Sequence, residues 1–225
     1  MKEVTVLGVL HNFHASIFAD IYGFGDLAAI LRHLRPDCVL AELTPDWETR
    51  CTAESLPDFK MEYREVILPL ADELRYAVVP VDYGSSVYAA ECARLDQVQQ
   101  TLVPYGEAKY ELITRFGESI FAALPSVFRS PRAINSQACN DLIHGLKETE
   151  RLWFFQDHPQ EDIWEQHNQL NYDHMLEAIR HRPENRFLIT FGLYHKYWFE
   201  LRLREERWLR FQPVEGQLAA MEAQE

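Results

Sequence analysis

Val4-Thr-Val-Leu-Gly-Val-Leu-His11 is apolar apart from Thr5, without alternation, and stops at a histidine. A strand with one wet face alternates apolar with polar residues; a strand covered on both faces does not. Three further runs have the same character: Cys38 to Leu43, Ala77 to Val81 and Phe187 to Phe191. Between the first three lie segments of helical period. Leu27, Ile30, Leu31 and Leu34 follow the i, i+3, i+4, i+7 rule, and so do Tyr63, Val66, Ile67, Leu70 and Leu74, with Pro69 set to kink the second helix. Strand, helix, strand, helix, strand is the pattern of right-handed crossovers. The expectation is an α/β fold: a mostly parallel central sheet flanked by helices, carrying a large helical insertion.

Residues 1–83 form the first part of that α/β core. From 84 to 183 apolar positions recur only at helical spacing, as in Tyr88, Cys92, Leu95 and Leu102, or Tyr172, Met175, Leu176 and Ile179, which predicts a helical insertion serving as lid or cap. Gly145 is expected to end or weaken one of its helices, and Trp153, Phe154, Phe155 and Trp164 to form core between them. Residues 184–214 complete the core with a helix from Tyr194 to Glu206 and a short strand from Trp208 to Phe211. The Gln/Glu/Ala-rich tail, 215–225, is expected to fray.

Lysines and arginines number 22 against 35 acidic residues, so the formal charge is 22 − 35 = −13. A phosphate-bearing surface repels such a protein, which argues against nucleic acid and anionic membrane as partners. No apolar run approaches the roughly 20 residues of a transmembrane helix, and the first residues lack the form of a signal peptide. The expected location is the cytoplasm. Cys38, Cys51, Cys92 and Cys139 make no CxxC or Cys/His pair, so they read as core or surface thiols.

Parallel strands deliver the residues that follow them to the carboxyl edge of the sheet, where ligands bind in open α/β folds. All four runs lead to an ionisable side chain: His11, Glu42, Asp82 and His195. Two of these endings share the form Gly-x-x-His, Gly8 to His11 and Gly192 to His195. If the first and fourth strands are neighbours, the two imidazoles converge with Glu42, and Asp82 beyond it. Two histidines and a carboxylate suit a divalent cation, which makes His11, Glu42 and His195 the candidate metal ligands. The same groups can instead act without metal as a base oriented by a carboxylate. Each also has a bland role, since a strand-end carboxylate often caps the next helix. Secondary candidates are His14, one turn after His11, and Arg64, placed to pair a site carboxylate. Glu62 and Glu65 are explained by the positive end of the second helix. The run Tyr194, Tyr197, Trp198 and Phe199 fits either a homo-oligomer surface or a buried helix face.

Val4 to His11, followed by Leu34-Arg-Pro36-Asp37-Cys-Val-Leu-Ala-Glu42-Leu and later by Phe187-Leu-Ile-Thr-Phe-Gly192-Leu-Tyr-His195, resembles the TraB/Tiki and ChaN-like/erythromycin-esterase superfamily. The resemblance spans residues 4 to 83 and 165 to 205. It implies an α/β core with the paired histidines His11 and His195 and the glutamate Glu42 at one site. Where many relatives carry an Arg-Asn pair before the last helix, this chain reads Gln166-His167-Asn168. Tiki proteins are metal-dependent proteases, erythromycin esterases hydrolyse a lactone with a histidine base, and ChaN binds haem, so shared architecture leaves the reaction open. The leading expectation is a hydrolase of a small-molecule or peptide ester or amide, with a divalent metal cation as an optional cofactor. The alternatives are a haem- or ligand-binding protein without turnover and a catalytically silent interaction protein.

Overall fold

The computed structural model describes residues 1–11, 18, 20–45, 60–82, 106–157, 159 and 162–223. His14 and the Tyr88–Leu102 stripe lie outside them, as do Cys51 and Cys92. Among the described residues five strands, β1 (Lys2–Val9), β2 (Cys38–Ala41), β3 (Ala77–Pro80), β4 (Arg186–Gly192) and β5 (Leu209–Phe211), form one sheet in the order β3-β2-β4-β1-β5. Every pairing is parallel. Val4, Val6, Leu7 and Val9 are almost wholly buried, as is every residue of β2, so both faces of the central strands are covered.

Among the described residues eight α-helices flank the sheet: α1 (Phe24–Leu34), α2 (Leu68–Leu74), α3 (Gly106–Val127), α4 (Pro131–Ile134), α5 (Gln137–Phe154), α6 (Ile163–His181), α7 (Leu193–Leu203) and α8 (Val214–Glu222). The kink expected at Pro69 takes the form of a π-helical stretch, Tyr63–Ile67, running into α2. Proline lacks an N–H and crowds the carbonyl four residues back, and widening the turn before it relieves both.

The described part of the 84–183 segment holds α3 to α6. Ile134, Cys139, Ile143, Tyr172, Met175 and Ile179 join the main core with the sheet residues, so α4, α5 and α6 form part of the body of the fold. Gly145 lies inside α5 without ending it, because the buried stripe of Cys139, Ile143 and Leu146 outweighs a glycine's cost of about 1 kcal/mol. Phe154 and Phe155 pack with Ile113 and Leu146 in a small second cluster.

The tail expected to fray instead forms α8. Val214 and Leu218 are 0% and 1% exposed, and Gln217 Nε2 donates to Thr5 Oγ1 at 2.9 Å. Polar composition concealed an i, i+4, i+7 stripe of Val214, Leu218 and Met221, and that stripe decides burial. Tyr197, Trp198 and Phe199 are buried too, which resolves the aromatic run as an inward helix face.

Candidate functional site

The carboxyl ends of β2, β4 and β1 lie side by side, with β4 in the middle and Val9 opposite Gly192. That register brings the end of the first Gly-x-x-His strand against the second. Gly192 donates its backbone N–H to Glu42 Oε2 at 2.6 Å, and a Cβ placed on it would stand 2.7 Å from His11 Nε2. Here the glycine is required by close approach. Gly8 is equally crowded, with Leu193 Cδ1 2.7 Å from a notional Cβ, while its own N–H bonds Asn135 Oδ1 at 2.8 Å.

His11 is gripped at both nitrogens. Nδ1 donates to Glu62 Oε1 at 2.6 Å, and Nε2 lies 3.2 Å from Glu42 Oε2. Burial opposes its positive charge, but the Glu42 carboxylate and the bonds to Glu42 and Glu62 overcome that and the repulsion of Lys60, raising its pKa to about 9. His11 is therefore an imidazolium at neutral pH.

Glu42 is 6% exposed. Burial favours its neutral form, yet the cations of Lys60 and His11 hold its carboxyl well below the usual range. Lys60 Nζ sits 2.5 Å from Oε1 and also donates to the Glu42 backbone carbonyl at 2.9 Å. The Glu42 N–H donates to the Tyr63 hydroxyl, which in turn donates to Thr190 O at 2.7 Å, tying the residue after β2 to β4.

His195, in the first turn of α7, has the opposite character. Asn168 Nδ2 donates to Trp164 O, which turns its Oδ1 toward His195 Nδ1 at 2.6 Å. Nδ1 thus carries the proton and Nε2 the lone pair. Trp164 stacks on the ring at 4.3 Å and Phe191 meets it edge-on at 5.8 Å. Burial is the main cause that lowers its pKa to about 3, and the negative charge of Glu42 only partly offsets it.

The structure thus gathers His11 and Glu42 directly, with His195 close enough to feel the charges of Glu42, Lys60 and His11. Arg64 stands outside the cluster, with its guanidinium on Glu65 at 2.6 Å. Asp82 follows the edge strand β3, and its backbone N–H reaches only to Leu43 O. Glu62, Lys60, Asn168 and Trp164 are the participants that sequence reasoning passed over. A signal existed for Glu62, since a helix entered from the loop after β2 begins at the same rim. Lys60 had no such signal; Asn168 belongs to the Gln166-His167-Asn168 stretch noted where relatives carry Arg-Asn, without a role for it, and Trp164 reads from sequence as aromatic core.

A divalent cation fits this donor set poorly as arranged. Lys60 occupies one oxygen of Glu42, while the Gly192 N–H and His11 share the other. Both His11 nitrogens are bonded, and among the described residues no three His, Cys, Asp or Glu side chains are grouped as for one ion. No described helix is long and apolar enough to cross a membrane. Comparison with protein-family models, curated proteins and solved structures finds no match to this chain.

Proposed function

We propose that this chain is a cytoplasmic hydrolase of an ester or amide, allied to the TraB/Tiki and erythromycin-esterase superfamily, that activates water without a metal. What carries the reading is the contrast between its two histidines. Each has Nδ1–H anchored, on Glu62 or Asn168; His11 bonds the Glu42 carboxylate, His195 feels its charge, and their pKa values are pushed to about 9 and about 3. Titratable groups driven apart in this way mark an acid and a base.

In this mechanism water binds at the lone pair of His195 Nε2, which accepts a proton as the oxygen attacks the carbonyl carbon. The imidazolium so formed keeps its Nδ1–H on Asn168 and is stabilised by the charge of Glu42. His11, already protonated, faces the developing oxyanion and then passes its Nε2 proton to the leaving group; His195 afterwards releases its proton to solvent and His11 takes one up, which restores the resting pair. Glu62 holds the His11 ring in place, and Lys60 keeps Glu42 ionised. Burial of His195 weakens it as a base in the resting site, and entry of water and a polar substrate relieves that burial.

The test is hydrolysis of p-nitrophenyl acetate and of a fluorogenic peptide panel by the purified protein and by His11→Gln, Glu42→Gln and His195→Gln. Losses of about 100-fold or more are expected for each histidine variant. Rates unchanged in the two histidine variants would overturn the proposal. A Soret band on haem titration that vanishes in the same variants, without hydrolysis, would favour the ligand-binding alternative.

A further inference from the structure

The hydrogen bonding around His11 leaves half of Glu62 unused. Glu62 is 2% exposed, and while Oε1 holds His11, Oε2 has no hydrogen-bond partner among the described residues. The hydroxyl of Tyr22, 6% exposed, likewise has no hydrogen-bond partner of good geometry among the described residues, although the Asn135 side chain stands close enough to its oxygen to favour the phenolate. Both side chains line one cleft of about 270 Å³, whose other walls include Val9, Leu10, Phe24 and Leu27. Buried polar atoms are normally bonded, so two unbonded ones in a mainly apolar cleft mark a place where a ligand completes the pairing.

We propose that this cleft is the substrate subsite beside the catalytic cluster, taking an apolar alkyl or aryl group that carries one hydroxyl, with that hydroxyl between Glu62 and Tyr22. The proposal rests on the hydrolase reading for the word substrate, but the cleft and its chemistry stand apart from it. A hydroxyl serves both orphans at once: it donates to Glu62 Oε2 and accepts from the Tyr22 O–H. An ammonium cannot accept and would leave the phenol unpaired, and the charge of Glu62 is already matched by His11. A plain hydrocarbon would satisfy neither atom. Because Glu62 also anchors His11, an occupied cleft places the substrate next to the proton donor.

The experiment is isothermal titration of the full chain with benzyl alcohol, toluene and benzylamine, none of which can be hydrolysed, alongside Tyr22→Phe and Glu62→Gln checked for folding by thermal melts. Benzyl alcohol should bind about tenfold more tightly than toluene, with benzylamine the weaker of the two polar probes. Tyr22→Phe should shrink the alcohol-to-toluene ratio to about threefold or less. Equal affinities for alcohol and toluene, a preference for the amine, a ratio unchanged in Tyr22→Phe, or no binding of any probe would each overturn the assignment. Selective binding of the alcohol by a chain that hydrolyses no ester or amide would sink the hydrolase reading alone. Hydrolysis without selectivity would sink only the subsite.

Discussion

A methyl group added at Gly192 would press on His11 Nε2 at 2.7 Å and on Glu42 Oε2 at 3.5 Å, so Gly192→Ala should disturb the His11–Glu42 pair itself. Gly8→Ala meets Leu193, Asn135 and Lys196 instead, which are packing and support groups. The first substitution is expected to cut the rate of ester hydrolysis at least tenfold with a modest change in melting temperature, since proton transfer tolerates little misplacement. The second should lower stability by about 1–3 kcal/mol through overpacking, read by urea denaturation, while hydrolysis by the folded fraction largely survives. Tyr63→Phe isolates a third effect. It removes the hydroxyl between Glu42 N–H and Thr190 O and should cost about 1–2 kcal/mol. Of these groups, His11, Glu42 and His195 were legible in the sequence because strand-end positions are fixed by the sheet. Asn168 was not, because a helix residue reaches a site only through the packing angle of its helix, and a list of residues holds no such angle.

Among the elements, β4 decides whether a site exists. It lies between β2 and β1, and its parallel register against β1 sets Gly192 beside Val9. The unbroken apolar runs disclosed the strands and their parallel sense, but the order was open, since any neighbour can cover a Val-rich strand. Helix α8 shows the converse. Its three apolar residues are sparse among Glu, Gln and Ala, and only the groove between β1, α1 and α4 gives them something to bury against. Leu218→Ala should therefore destabilise the whole fold by about 2–4 kcal/mol in chemical denaturation, a result impossible for a fraying tail.

For the whole molecule, the opposed histidines set a stability profile with two limbs. His11 has its pKa raised from 6.5 to about 9, so its contribution is complete below 6.5 and is lost as pH climbs through 9. His195 is lowered from 6.5 to about 3, so the unfolded chain binds a proton there before the folded one does, and stability falls as pH drops from 6.5 toward 3. Glu42, held low by Lys60 and His11 against its burial, adds to the loss below 4.5. The melting temperature should peak near pH 6.5. His11→Gln should flatten the alkaline side and His195→Gln the stretch from 4.5 to 6.5. Dialysis against a chelator should leave both hydrolysis and the melting curve unchanged, with elemental analysis of the sample as the control; chelator-sensitive activity would restore the metal mechanism.

The placement of β4 also bears on biosynthesis. The strand that joins the two portions of the sheet leaves the ribosome more than 170 residues after β1. Until it emerges, β1 has no neighbour on its β4 side, and β2 with β3 forms an isolated pair lacking a central partner. Such long-range closure is slow. A nascent chain interrupted before Gly192 would display uncovered apolar strands and no paired histidines, making it a natural client for chaperones.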